Sequence, residues 1–173
     1  LKPTISAMEK EGRAYRGCLY LGLMITADGP KVVEFNARFG DPETQVVLPL
    51  LDGDLVQIMH ACADGTLADV PIRWKDGAAV CVVLSAGGYP ASYEKGNEIY
   101  GIGNAEKLGA LVFHAGTAKK NGKIVTNGGR VLGVVGMGKD IASAVQSAYD
   151  AVDQISFKGE YHRKDIAHRA LNR

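Results

Sequence analysis

"KVVEFNARFGDPETQ", residues 31–45, is the stretch on which the reading of the chain turns. Val32, Val33 and Phe35 read as a buried strand, since β-branched and aromatic side chains suit a pleated, half-buried surface. Polar residues interrupt that run at every second place, at Glu34, Asn36 and Arg38. Successive side chains of a strand point to opposite faces, so a carboxylate, an amide and, if the strand persists, a guanidinium share one face while Val33 and Phe35 take the other. A hard divalent cation such as Mg²⁺ wants oxygen ligands and usually takes only one or two from the protein, leaving its other positions to water and phosphate. Glu34 and Asn36 fit that requirement. Arg38 carries a planar fork suited to two phosphate oxygens. The row is a metal-phosphate site in outline, while a hairpin's solvated face is the more common cause of such alternation.

The break that follows, Gly40-Asp41-Pro42-Glu43, has two compatible readings. Pro42 disfavours the α region at Asp41 and Gly40 permits an unusual backbone angle, so the loop can aim a carboxylate back toward the row. Alternatively the segment opens a helix, with Asp41 and Glu43 capping it and Pro42 in its first turn.

Outward from this stretch, "GCLYLGLMIT" and "KVVEFNAR" are two apolar runs joined by "ADGPK", which predicts a β-hairpin. Asp28 belongs to the turn chemistry. Upstream, "PTISAMEKEG" predicts a short helix from Pro3 to Gly12. Downstream, Leu55, Ile58, Met59 and Cys62 fall at helical spacing, with Asp54 near the start and Gly65 past the end. A seam follows near residues 70–78, where "DVPIRWKDGAA" combines Pro, charges and Gly. Beyond it "AAVCVVLSA" and "ALVFHAGTAKKNGKIVTNGGRVLGVVGMG" predict antiparallel strands with turns at Asn-Gly and Asn-Gly-Gly. "KDIASAVQSAYDAVDQI" predicts a helix with Ile141, Ala144, Val145, Ala148, Ala151, Val152 and Ile155 on the face that packs on the sheet. The fold class expected is α+β, in two parts, residues 1–74 and 75–173.

The chain has 173 residues, 46% hydrophobic and 23% charged, a folded protein's profile. With Lys+Arg 20 against Asp+Glu 19 there is no charge excess to direct it to nucleic acid or an anionic membrane. Cys18, Cys62 and Cys81 follow no metal or redox spacing and read as reduced core thiols, which predicts a cytoplasmic protein. No apolar run reaches the ~18 residues of a membrane span, and no signal-peptide pattern is present. The chain begins at Leu1 without an initiator methionine, and a fragment is expected. Gly133 to Gly138, "GVVGMG", is not the dinucleotide fingerprint and reads as a strand-to-helix turn with Asp140 near the helix start. His60 and His114 read as structural imidazoles. "YHRKDIAHR" gathers His162, Arg163, Lys164, His168 and Arg169, a solvated face without the interleaved aromatics of a nucleic-acid binder.

The string "EFNARFGDPETQ" with the preceding "YLGLMITADGPKVV" resembles the last strands of an ATP-grasp domain. The longer "RFGDPETQVVLPLL", followed in order by "SAGGYPASYEKG", "HAGTAKKNGKIVTNGGRVLGV" and "YHRKDIAHRAL", resembles the phosphoribosylamine-glycine ligase family. The resemblance covers essentially the whole chain. It implies the C-terminal strands and helix of an ATP-grasp domain in residues 1–74, then the family's small antiparallel-sheet and helix C-terminal domain in 75–173. The N-terminal part of the enzyme would be missing. The implied chemistry is ATP-dependent joining of glycine to 5-phosphoribosylamine through a glycyl phosphate, giving glycinamide ribonucleotide, ADP and phosphate in purine biosynthesis. Glu34 and Asn36 would then hold Mg²⁺ or Mn²⁺ and Arg38 would act on the transferring phosphoryl group. Gly40, Asp41, Pro42 and Glu43 would border the substrate pocket, with Asp41 or Glu43 meeting a substrate amine. "GCLYLGLMIT" has no Asp or Glu, which leaves the number of metal ions open. Glu34, Asn36 and Arg38 would also serve another ATP-grasp carboxylate-amine ligase or a carboxylase subunit. A third reading is a non-catalytic folded fragment, and the chain alone is expected to be inactive.

Overall fold

The computed structural model describes residues 1–171. They form two compact units, Leu1–Thr44 with Leu51–Trp74, and Gln45–Leu50 with the chain from Lys75 onward.

In the first unit, α1 (Lys2–Lys10) starts with Pro3 in its first turn and stops before Gly12, which takes φ +71°. Strands β1 (Tyr20–Thr26) and β2 (Gly29–Asn36) form the expected hairpin, a two-stranded antiparallel sheet. The Thr26 hydroxyl donates to the Gly29 carbonyl at 2.8 Å across the turn. The register is not uniform. From Thr26–Gly29 to Leu23–Val32 the pairing follows the turn, but Gly22 then pairs with Glu34, Leu21 with Phe35 and Tyr20 with Asn36, so Val33 is a bulge. Val32, Val33 and Phe35 are not buried as expected, being 53%, 65% and 50% exposed. A two-stranded ribbon offers its side chains no second layer to pack on.

The short helix α2 (Thr44–Val47) joins the two units in sequence. Back in the first unit, β3 (Leu51–Asp52) precedes α3 (Leu55–Asp64), and β3 pairs with β4 (Arg73–Trp74). Helix α3 has both expected punctuation marks. Asp54 accepts from the Val56 and Gln57 amides at 2.8 and 3.1 Å, and Gly65 closes the helix in the left-handed region.

The second unit is a four-stranded antiparallel sheet of order β10-β5-β9-β6, built from β5 (Ala78–Ala86), β6 (Leu111–His114), β9 (Arg130–Gly138) and β10 (Glu160–Tyr161). The short α4 (Ile102–Lys107) precedes β6, and a separate hairpin joins β7 (Thr117–Lys120) to β8 (Lys123–Thr126). Its turn has Asn121 at φ 52° and Gly122 at φ 79°, the positive angles an Asn-Gly hairpin turn requires.

Helix α5 (Ile141–Val152) packs on the sheet through Ala144, Ala148, Ala151 and Val152. Two expectations for it are corrected. Ile141, beside the N-cap, is exposed, and the helix ends before Ile155, which is nonetheless buried. The glycine run "GVVGMG" does not form a turn but lies within β9. A Cβ on Gly136 would fall 2.5 Å from the Ala144 carbonyl oxygen and 2.7 Å from Ala148 Cα, so glycine on the strand and alanines on the helix allow the backbones to approach closely. Asp140 caps α5 in a reciprocal box with Ser143. These hydrogen bonds from the Ser143 hydroxyl and amide hold the Asp140 carboxyl below its ordinary range. The C-terminal basic segment is fastened to α5 by Tyr149, whose hydroxyl donates to the Arg163 carbonyl at 2.7 Å and accepts from the Ile166 amide at 3.2 Å. It ends in α6 (His168–Leu171). Cys18, Cys62 and Cys81 are half-buried rather than inside a core.

Candidate metal-phosphate site

Strand β2 places Glu34 and Asn36 on one face, where Asn36 Nδ2 donates to Glu34 Oε1 at 2.9 Å. With the nitrogen so used, the amide atom with ligand chemistry is Oδ1. Cross-strand partners share a face, so Gly22, paired with Glu34, and Tyr20, paired with Asn36, complete the row from β1. A Cβ on Gly22 would lie 3.0 Å from Glu34 Cγ, so the bare backbone there leaves the Glu34 side chain its path across the sheet.

The strand does not persist to Arg38. It ends at Asn36, and Arg38 turns its guanidinium to the neighbouring Phe39 carbonyl at 2.9 Å. Arg38 also lines a mostly apolar pocket of about 510 Å³ with Arg16, Cys18, Phe39, Met59 and Cys62, among others. That pocket receives the helical stripe Leu55, Ile58, Met59 and Cys62 of α3.

In the loop, Gly40 does not take the positive φ that its freedom allowed; its φ lies outside the left-handed region. Its role is space, because a Cβ there would collide with the Glu43 carboxylate. The Gly40 carbonyl accepts from the Thr44 amide at 3.0 Å and from the Thr44 hydroxyl. Pro42 follows a cis peptide bond from Asp41, with Asp41 exposed and Pro42 half-buried. Glu43 Oε1 accepts from the Tyr20 hydroxyl at 3.1 Å, which ties the loop back to the row on β1. That bond holds the Tyr20 phenol above its ordinary range, with burial and the charges of Glu43 and Glu34 acting in the same direction.

Tyr20 is the residue that sequence reasoning missed. Counting from the hairpin turn without the bulge pairs Tyr20 with Phe35, on the opposite face from Glu34 and Asn36; the unpaired Val33 shifts it by one. Among the described residues no group of three or more His, Cys, Asp or Glu side chains could hold a metal ion. One carboxylate and one amide nevertheless fit a cation of the Mg²⁺ type, which keeps most positions for water and phosphate. A second pocket of about 490 Å³ lies in the other unit, lined by Gly87, Tyr93, Asn97 and the Lys158–Glu94 ion pair at 2.9 Å, among others. His60 and His114 are exposed, His114 bonding Thr117 Oγ1 at 3.0 Å. No helix among the described residues is long and apolar enough to cross a membrane.

Comparison with known proteins gives two family matches in chain order. Residues 1–44 match "Phosphoribosylglycinamide synthetase, ATP-grasp (A) domain" and residues 79–169 match "Phosphoribosylglycinamide synthetase, C domain". The chain is 54% identical over 173 residues to a phosphoribosylamine–glycine ligase of Synechocystis sp., covering 99% of this chain and 41% of that protein. It is 54% identical over 172 residues to the trifunctional purine biosynthetic protein adenosine-3 of Gallus gallus, of which it covers 17%. A crystal structure of phosphoribosylamine–glycine ligase from Thermotoga maritima superposes with a TM-score of 0.78 at 42% identity, over 92% of this chain and 39% of that one. Urea carboxylase of Kluyveromyces lactis, at 18% identity and a TM-score of 0.53 over 83% of this chain and 13% of that one, shares the fold alone. The chain thus spans about two fifths of the length of the single-activity relatives, being 41% and 40% of the first two. Its second unit carries a match over more than half of the sequence, and the chain belongs to the phosphoribosylglycinamide synthetase family.

Proposed function

We propose that the chain is the C-terminal portion of an ATP-dependent carbon-nitrogen ligase that joins glycine to 5-phosphoribosylamine in de novo purine biosynthesis, acting in the cytoplasm. Residues 1–74 contribute the end of its ATP-grasp domain and residues 75–173 its C-terminal domain, the remainder of the enzyme lying N-terminal to both. The observation that carries this reading is the pair of family matches in the enzyme's own order, with identity to the ligases running along 99% of the chain.

The glycine carboxylate attacks the γ-phosphorus of ATP, releasing ADP and leaving glycyl phosphate; the amine of phosphoribosylamine then displaces phosphate. Such transfers depend on positioning and charge neutralisation, with no side-chain nucleophile required. Glu34 and Asn36 would hold Mg²⁺ or Mn²⁺, which would supply neutralisation of the phosphate charge. Arg38 uses one of its five N–H groups on Phe39, which leaves the rest of the fork to meet phosphoryl oxygens. Gly40 to Glu43 border the substrate pocket, with a carboxylate of the loop accepting a substrate amine.

The test is glycine-dependent ADP release by the full-length ligase carrying this segment. Glu34→Gln should lower turnover and raise the Mg²⁺ requirement with the fold retained, and unchanged kinetics would remove Glu34 from the site. Arg38→Lys should also lose activity, because an ammonium lacks the two-toothed geometry. Calorimetric titration of the present chain with Mg-ATP, beside Asn36→Ala, reports whether the metal-phosphate half is preformed in this portion.

A further inference from the structure

We propose that Tyr20 is a positioning residue whose hydroxyl holds the Glu43 carboxylate beside the Glu34–Asn36 row, making Glu43, rather than Asp41, the group that receives the ammonium of the amino acid substrate. The inference rests on the function proposed above and assigns the loop's substrate contact within it.

Three observations on separate segments converge. Tyr20 stands directly across the ladder from Asn36, on the face that carries Glu34. Its hydroxyl donates to Glu43 Oε1 at 3.1 Å, so the loop carboxylate is tethered to the same strand face from a distance of 23 residues in sequence. Gly40 lacks the Cβ that would collide with Glu43, so the loop is built with room for the carboxylate in this rotamer.

The chemistry follows from the substrate's length. A short α-amino acid is a zwitterion whose carboxylate must reach the metal-bound phosphate and whose ammonium is only two bonds further along its backbone. It needs an acceptor next to the metal row. A fixed carboxylate serves better than a mobile one, since the rotamer freedom of a glutamate is already lost before substrate arrives. Tyr20 supplies that fixation and touches no reacting atom.

The experiment uses the full-length ligase with Tyr20→Phe, Glu43→Ala, Glu43→Gln and the Tyr20→Phe/Glu43→Ala double variant, reading KM for glycine, KM for ATP, kcat and Tm. Tyr20→Phe keeps the ring and deletes only the hydroxyl; the expected result is a rise in KM for glycine of about tenfold, the size of a hydrogen bond to a charged group. KM for ATP and Tm should stay near wild type. The double variant should be no worse than Glu43→Ala, as two residues acting in series require. Glu43→Gln still accepts from Tyr20 but has lost its charge, and should raise KM for glycine as Glu43→Ala does. Silence of Tyr20→Phe, losses that multiply in the double variant, or a silent Glu43→Gln would each overturn the proposal. If Glu34→Gln is impaired while the Glu43 variants are silent, only this inference falls; if Glu34→Gln is silent too, the proposed site falls with it.

Discussion

Apolar side chains fare differently in the two units. In the second, Val82, Leu84, Leu132 and Val134 have 0% exposure in the core that the four-stranded sheet shares with α5, and Val135, on the other face of β9, has 0% as well. In the first, Ala61 is the one apolar side chain in the buried class among the described residues, and Leu23, Met24, Ile25, Val32, Val33 and Phe35 stand exposed on the hairpin. Strand β1, YLGLMIT, is as rich in apolar residues as β9, RVLGVVGMG. Burial therefore depends on whether a second layer covers the strand, which composition alone does not tell. The candidate site sits on the uncovered ribbon, where polar atoms remain open to ligands, and the closed unit supplies a rigid neighbour in sequence.

The contrast can be broken most decisively at its closed end. Leu84→Ala should destabilise the second unit by about 2–5 kcal/mol, since Leu84 is fully enclosed; a shift of denaturant midpoint equal to that of an exposed site would show the core to be loose. Gly136→Ala adds one methyl where α5 leaves no space, and about 1–3 kcal/mol should be lost, measured by thermal unfolding. In the first unit the comparable local device is a cap, and Asp54→Ala should weaken α3 by about 1 kcal/mol, visible as earlier fraying by amide exchange. Asp140 sharpens the comparison through pH. Its folded carboxyl lies below its ordinary value of 3.8, so its stabilising share is present above that value and disappears as pH falls through the folded value. Asp140→Asn should therefore flatten the acid limb of the second unit's melting curve. Smallest of all, Val33→Ser should change stability by less than about 0.5 kcal/mol in this chain, because the bulge leaves Val33 exposed; a larger loss would mean that the ribbon is covered in solution.

Most elements could be read in advance where a local cause exists. Asp54 and Gly65 delimit α3, Asn121-Gly122 turns β7 into β8, and the alternation of Glu34 and Asn36 puts both on one face. What escaped were effects of tertiary origin. The pairing of β10 with β5, reinforced by the Ser85 hydroxyl on the Tyr161 carbonyl at 3.0 Å, joins residues 76 apart and involves only two residues of strand. The glycines of β9 looked like a turn because their reason, the backbone of α5, lies elsewhere in the chain. Arg38 joins the row only if the strand persists, and the strand stops two residues before it. Tyr20 was invisible because a bulge has no residue signature here, Val33 being an ordinary strand former.

That bulge has a consequence at the level of the gene. One unpaired residue in β2 sets which of Tyr20 or Leu21 faces the Glu34 side, so the sheet keeps its own reading frame between Tyr20 and Asn36. A one-codon deletion at Val33 removes the unpaired residue and leaves Gly22 opposite Glu34 and Tyr20 opposite Asn36, whereas closing the bulge with Val33 kept would bring Leu21 opposite Glu34 and turn Tyr20 away. Val33 is thus the place where this hairpin can shorten by a single codon without turning any site residue to the other face.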